Sequence, residues 1–244
     1  MPENISVYTE PYTVRANEVD VNGRTTLSAI CNYFQEVAGN HALLLNFDIS
    51  NLHLQNLTWV LQRLDIKMNK YPEWRDHITI ETWPATGDGI RALRNYRILD
   101  ESGEELGCCL SYWMIMNLET RRPVRLLQYI LDFNYDERDK VMEMKTNRLI
   151  PPSTPEISKN FNVRKSDLDM NNHVNHIKFI EWMVECLPET DTKTITGLDI
   201  VFMNEIVYGD TITSSCGYPK KGKSNHQLIN QDNKIISLGE IVTD

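Results

Sequence analysis

The chain lacks positive charge: over 244 residues, 34 Asp and Glu outweigh 25 Lys and Arg, for a formal charge of −9. A dedicated nucleic-acid binder needs a basic footprint, so no nucleic acid is expected among the partners. Long apolar runs are missing too. None approaches the roughly 18 residues of a membrane span, and the amino terminus MPENISVYTE has neither a basic nor an apolar leader region. That reads as a protein of the cytoplasm, without a membrane span. Cysteines are few, odd in number and scattered, at 31, 108, 109, 186 and 216, with no CxxC. Neither a disulfide framework nor a zinc site follows, and reduced, buried thiols are the plain reading. No phosphate-binding glycine loop, HExxH or GxSxG is present, so no cofactor and no metal is expected. What is there is an ordinary globular composition, 41% hydrophobic and 24% charged. The length allows one large domain or two of about 120 residues each.

An internal repeat decides between these. Val14–Ala38 set over Val163–Leu187, an offset of 149, matches Val14, Arg15, Asp20, Asn22 and Glu36 with Val163, Arg164, Asp169, Asn171 and Glu185. Chance would give roughly 1 or 2 such identities. A second window, Leu64–Thr79 over Leu198–Thr213 at an offset of 134, matches Leu64, Asp65, Ile66, Asp76, Ile78 and Thr79 with Leu198, Asp199, Ile200, Asp210, Ile212 and Thr213. The windows occur in the same order, so the chain reads as two homologous halves, the first with an insertion of about 15 residues.

Each half has one grammar: an extended segment, an Asp-x-Asn turn, a helix, then strands. Leu27, Ile30, Phe34 and Val37 recur at helical spacing, as do Val174, Ile177, Ile180, Met183, Val184 and Leu187 before Pro188. Strands are predicted over Leu57–Met68, His77–Thr86, Leu93–Leu99 and Leu106–Asn117, and over Thr194–Phe202, Asp210–Gly217, His226–Asn230 and Lys234–Val242. Glu101-Ser102-Gly103 and Gln231-Asp232-Asn233 mark hairpins. One helix per half against an antiparallel meander is an α+β pattern. Charged, weakly helical residues Leu126–Arg148 and the prolines 151, 152 and 155 read as a linker, giving domains at 1–125 and 156–244 joined by 126–155.

The copies are most informative where they diverge. The second turn reads Asp169-Met170-Asn171-Asn172-His173, and the first has Arg24 in place of His173. Likewise Glu205 lies opposite Tyr71. A His near a helix start and a Glu on a nearby strand are suited to acid/base work. The helix start offers backbone N–H groups to a developing oxyanion. Asp169 also reads as a turn former, since Asp20 keeps that place in the half without the histidine. His173 and His176, three residues apart, could chelate a metal, but no third ligand stands at a recognisable spacing. His41, His53, His77 and His226 belong to no motif and read as structural or exposed.

These residues carry a resemblance. DLDMNNHVNHIKFIEW at 167–182, LTWVLQRLDIKMNKYPEWRD at 57–76 and YWMIMNLETRRPVRL at 112–126 resemble, in order, segments of the acyl-acyl carrier protein thioesterases. The resemblance implies a double hotdog, two helix-in-sheet repeats, with the first holding the substrate pocket and the second the chemistry. It implies hydrolysis of a fatty acyl thioester on the phosphopantetheine arm of an acyl carrier protein. Asp169, Asn171 and His173 match the family's Asp-x-Asn-x-His, and Glu205 falls on its catalytic Glu. Plant members commonly have a cysteine after that Glu; here the residue is Ile206, which argues against a thiolate nucleophile.

The expected mechanism is water attack with Glu205 as general base, or as a nucleophile forming an anhydride. His173 orients the water or Glu205, Asn171 fixes the thioester or His173, and Asp169 holds the turn. Carrier proteins are acidic, so docking on this acidic chain calls for a local basic patch. Arg121, Arg122 and Arg125 are the candidates, with Arg91 and Arg97 on one strand face and Arg94 on the other. Scattered solvated arginines are the alternative. Two other functions stay open: an acyl-CoA thioesterase of the same fold, and a non-catalytic acyl-thioester-binding module. A homodimer is left open.

Overall fold

The computed structural model describes residues 6–133, 135, 138–188 and 194–244. The first five residues, and three of the stretch 126–148, lie outside these. Two compact units divide the chain at Met144 and Lys145.

The first unit opens with β1 (Tyr8–Thr13), followed by α1 (Leu27–Leu44), α2 (Ile49–His53), β2 (Leu57–Met68), β3 (His77–Ala85), β4 (Arg91–Asp100) and β5 (Glu105–Asn117). A two-residue β6 (Pro123–Val124) and the short α3 (Gln128–Leu131) complete it. The second unit has β7 (Ile157–Asn162), α4 (His176–Val184), β8 (Ile195–Phe202), β9 (Thr211–Lys220), β10 (Lys223–Asn230) and β11 (Ile235–Thr243). Within the first unit the strand order is β1-β3-β4-β5-β2, with β6 on β5; within the second it is β7-β9-β10-β11-β8. Every one of these pairs is antiparallel. The two orders are the same once the copies are matched, which is the duplication in three dimensions. This is the expected α+β architecture, a helix against an antiparallel sheet, occurring twice.

The elements follow from local chemistry. β1 and β7 alternate half-buried and exposed residues along their whole length, as a strand with one face on the core must. The Thr26 hydroxyl accepts the Ala29 N–H at 3.2 Å and starts α1; Asn175 Oδ1 accepts the Ile177 N–H at 3.0 Å and starts α4. Helix α1 buries Ile30, Phe34 and Val37, and α4 buries Ile177, Ile180 and Met183. Each such side chain contributes roughly 1.5–3 kcal/mol on leaving water. Gly239 of β11 allows the close approach of α4: a Cβ there would lie 2.6 Å from Met183 Sδ.

The structure moves several boundaries. Helix α4 ends at Val184 rather than running to Pro188, and it begins after Val174, which forms a bridge with Leu168. Of the stretch 126–148, only Gln128–Leu131 is helical among the described residues. Leu126 and Ile130 pack with Leu52, Leu57 and Ile115 in the first unit's core. The insertion seen as a difference in offset corresponds to the extra length of α1 and to α2. Among the described residues no helix is long and apolar enough to cross a membrane.

Candidate active site

The Asp-x-Asn turn is built the same way in both units. Asp169 Oδ1 accepts the N–H groups of Asn171 (2.8 Å) and His173 (3.1 Å). Asp20 Oδ1 accepts those of Asn22 (2.8 Å) and Arg24 (3.0 Å). The residue at the turn's left-handed position is Asn172 (φ 62°) in one and Gly23 (φ 77°) in the other, types that tolerate positive φ. Beyond the turn, the Val174 N–H donates to the Ile206 carbonyl at 2.9 Å, and the Thr25 N–H donates to the Pro72 carbonyl at 2.8 Å. The two sequence offsets, 149 and 134, thus reappear as equivalent hydrogen bonds.

Different side chains occupy this common frame. In the second unit His173 Nε2 lies 3.5 Å from Glu205 Oε2, with the side chains 31% and 41% exposed. The separation is long for a hydrogen bond, as acid/base pairs often are without a substrate. Backbone ties hold the pair together: Val174 and Ile206, each next in chain to one member, are bonded to each other. Asn204, on the other side of Glu205, donates its N–H to Ile236 O (3.2 Å) and its Nδ2 to Ile235 O (2.8 Å). In the first unit the equivalents are Arg24 and Tyr71. Burial pushes the Tyr71 phenol above its ordinary range, against a partial pull from the Arg24 charge. A permanent cation facing a protonated phenol offers no base near neutral pH.

Of the four residues expected to act, His173 and Glu205 are brought together and Asp169 holds the backbone beneath them. The Asn171 side chain is exposed and makes no hydrogen bond among the described residues. The expectation of several free N–H groups at the helix start is corrected. The N–H groups of Asn171 and His173 go to the Asp169 carboxylate, and that of Asn172 to the Asp169 carbonyl. Those of Val174, Asn175, Ile177 and Lys178 are also engaged, the last two by Asn175. Between 171 and 178, that leaves the His176 N–H.

The His176 ring lies edge-on to Phe202, centroids 5.7 Å apart. Burial lowers its pKa to about 4, against a small upward pull from Asp169. It is therefore neutral at pH 7. Among the described residues no group of three or more His, Cys, Asp and Glu is placed to hold a metal ion.

All five cysteines are buried. Burial pushes Cys31 up to about 12 and Cys108 and Cys216 up to about 11. Ile206 is itself buried, 1% exposed. Thiolate chemistry finds no support in these environments.

The arginines divide as their parity predicts. Arg94 is buried, whereas Arg91 faces Asp88 at 2.6 Å and Arg97 faces Glu105 at 3.1 Å. Arg121, Arg122 and Arg125 are exposed on the segment around β6, where Arg121 has φ 56°. Sequence reasoning missed a contact of His41, which is buried and accepts a hydrogen bond from Arg94 Nη1 at 3.0 Å. His226, also buried, lies 2.8 Å from Ser224 Oγ through its Nε2. The residues of the first pair are 53 apart in the chain, so no local pattern could reveal it.

A helix-on-sheet unit occurring twice, with one His–Glu pair in the second copy, defines the class. The acyl-ACP thioesterase N-terminal domain matches residues 5–133 and the acyl-ACP thioesterase C-terminal domain matches residues 151–242. The chain belongs to the acyl-ACP thioesterase family. It is 33% identical to the chloroplastic oleoyl-acyl carrier protein thioesterase of Coriandrum sativum, over 85% of this chain and 61% of that protein. An Arabidopsis thaliana oleoyl-acyl carrier protein thioesterase is 30% identical, over 85% and 62%. The chain thus spans less than two thirds of these relatives. Among solved structures, an acyl-ACP thioesterase from Bacteroides thetaiotaomicron superposes with a TM-score of 0.90 at 27% identity, covering 100% of both chains. The 12:0-ACP thioesterase of Umbellularia californica shares the fold, with a TM-score of 0.88 at 21% identity over 98% of this chain and 97% of that one.

Proposed function

We propose that the chain hydrolyses fatty acyl thioesters carried on the phosphopantetheine arm of an acyl carrier protein, releasing the free acid. The observation that carries this reading is the His173–Glu205 pair, 3.5 Å apart and absent from the otherwise equivalent turn of the first unit. Glu205 takes a proton from water as the water attacks the thioester carbonyl, and His173 orients Glu205 or the water. The tetrahedral intermediate collapses with loss of the pantetheine thiolate, which takes the proton that Glu205 accepted and returns Glu205 to its carboxylate form. Asp169 fixes the turn that presents His173, and Asn171 contacts the thioester. In this reading residues 1–125 hold the acyl chain, 126–155 link and 156–244 catalyse. Arg121, Arg122 and Arg125 meet the carrier, in the cytoplasm.

The test is free-thiol release from acyl-carrier protein and acyl-CoA in parallel. Hydrolysis of the carrier-bound thioester is the expected result. Turnover of acyl-CoA alone would transfer the activity to the other carrier, and turnover of neither would leave a binding module. Replacing Glu205 or His173 by Ala should lower kcat by about 10²–10⁴, the usual worth of positioned proton transfer. Near-wild-type turnover in either variant removes that residue from the mechanism.

A further inference from the structure

Glu205 stands outside every helix and strand, in the irregular segment between β8 and β9, so its aim depends on how that segment is pinned. Most of the pins are common to both units. The Val207 N–H donates to Asp210 Oδ2 at 3.1 Å, as the Glu73 N–H does to Asp76 Oδ2 at 2.8 Å. The N–H groups of Met203 and Asn204 both donate to the Ile236 carbonyl, at 3.0 and 3.2 Å. Those of Asn69 and Lys70 both donate to the Leu106 carbonyl, at 2.8 and 3.0 Å. Shared pins make the frame; they do not account for a carboxylate that one unit alone carries.

One pin differs. In each unit an asparagine amide reaches the carbonyl just before that shared acceptor. Asn69 Nδ2 donates to Glu105 O at 3.3 Å, and Asn204 Nδ2 donates to Ile235 O at 2.8 Å. The two asparagines are not equivalent: at the offset of 134, Asn69 answers to Met203 and Lys70 to Asn204. In the second unit the amide stands one residue further along, directly before the position where Glu205 replaces Tyr71. Neighbouring side chains leave an extended chain on opposite sides, so this shift changes what is tied down and what is left out. In the first unit Asn69 is tied and Lys70 is exposed; in the second, Asn204 is tied and half-buried, and Met203 is 52% exposed.

Glu205 is thus bracketed. A side-chain bond holds the residue before it to the first residue of β11, and a backbone bond holds the residue after it to Val174. Val174 follows His173, so the second bracket places the carboxylate relative to the imidazole. On the β11 side, removal of the amide leaves the Asn204 N–H, which shares one carbonyl oxygen with Met203. We propose that Asn204 is a positioning residue for Glu205, its amide clamping the segment to β11 so that the carboxylate meets His173. Its part in turnover rests on the hydrolase reading above; the placement of the carboxylate rests on the bonds alone. The pair has little slack, since a misplacement of about 1 Å can cost on the order of 100-fold in rate.

Asn204→Ala, Asn204→Asp and Asn69→Ala are compared by melting temperature, by steady-state thiol release and by crystal structures. Asn204→Asp keeps the shape and loses the donor, and Asn69→Ala removes the corresponding bond from the unit without the pair. The two alanine variants should melt lower by similar amounts. Only the Asn204 variants should lose kcat, by about 10–100-fold, with KM for the thioester nearly unchanged. Asn204→Gln, which keeps an amide donor, should recover part of that loss. In crystals of Asn204→Ala, Glu205 should have left ion-pair reach of His173 while the Asp169 turn stays as it is. Equal kcat losses in Asn69→Ala and Asn204→Ala overturn the proposal, as does wild-type kcat in Asn204→Asp. An Asn204→Ala crystal structure that keeps the pair at its wild-type separation overturns it too. Should Asn204→Ala fail to fold, Asn204→Asp carries the same three measurements. If the wild-type protein releases no thiol, the hydrolase reading falls, and the crystal structures still decide what places Glu205.

Discussion

Asp20 and Asp169 perform one task in two places, each accepting two backbone N–H groups across a tight turn. Losing such an acceptor strands donors and typically costs about 1–2 kcal/mol. Asp20→Ala and Asp169→Ala should therefore lower stability by similar amounts in denaturant titrations. Their effects on turnover should part, because only Asp169 lies beneath the His173–Glu205 pair. Asp169→Asn, which keeps an acceptor oxygen, should recover most of both losses. Equal kcat for the two Ala variants would show that turn strength matters to catalysis in either copy and would remove Asp169 as a positioning residue.

At the scale of elements, the second unit carries two histidines whose charged forms burial opposes. His176, at the start of α4, is lowered from 6.5 to about 4, and His226, on β10, from 6.5 to about 3. The unfolded chain binds protons at these sites near pH 6.5 while the folded chain does not. Their stabilising effect is whole above pH 6.5 and is lost as pH falls toward 4. Asp167 acts lower. Burial raises its pKa, but the Arg164 hydrogen bonds outweigh that and hold it below its ordinary 3.8, so its contribution is lost only under more acid conditions. Hydrogen exchange, corrected for the intrinsic rate, should show protection of α4 and β10 falling between pH 6.5 and 4.5. His176→Phe, which keeps an aromatic ring against Phe202, should flatten part of that fall; a profile superimposable on wild type would contradict the assignment.

The same scale shows what could be read beforehand. The hairpin turns were legible because Gly103 (φ 85°) and Asn233 (φ 59°) are residue types that accept positive φ. The long strands were legible by their apolar runs. Helix α2, five residues long, is too short to show a period. The end of α4 is not legible, because Leu187 continues the apolar spacing past the last helical residue, Val184. The His–Glu pair was legible because the first copy served as an internal control. The engagement of the turn's N–H groups was not, since it depends on which carbonyls and carboxylates the folded chain brings to them.

The charge of −9 belongs unevenly to the two units. Residues 1–144 hold 21 acidic against 14 basic residues, and 145–244 hold 13 against 11. Under the proposed function, an acidic carrier approaching this chain would meet net repulsion at long range and gain only from a local basic surface at short range. Arg121, Arg122 and Arg125 are exposed on one segment of the more acidic unit, where such a surface would matter most. Salt separates the two effects, because screening at about 0.1 M confines exposed charges to about 10 Å. If local attraction dominates the encounter, raising ionic strength increases KM for the carrier-bound substrate in the wild-type protein. Reversing Arg121 and Arg122 to Glu should raise KM at low salt and leave kcat nearly unchanged. It should also invert the salt response, since screening then relieves repulsion without weakening any attraction. Steady-state kinetics across a salt series, with acyl-CoA as a substrate that lacks the carrier surface, reads out all three. A variant with wild-type KM and salt slope would show that the carrier docks elsewhere.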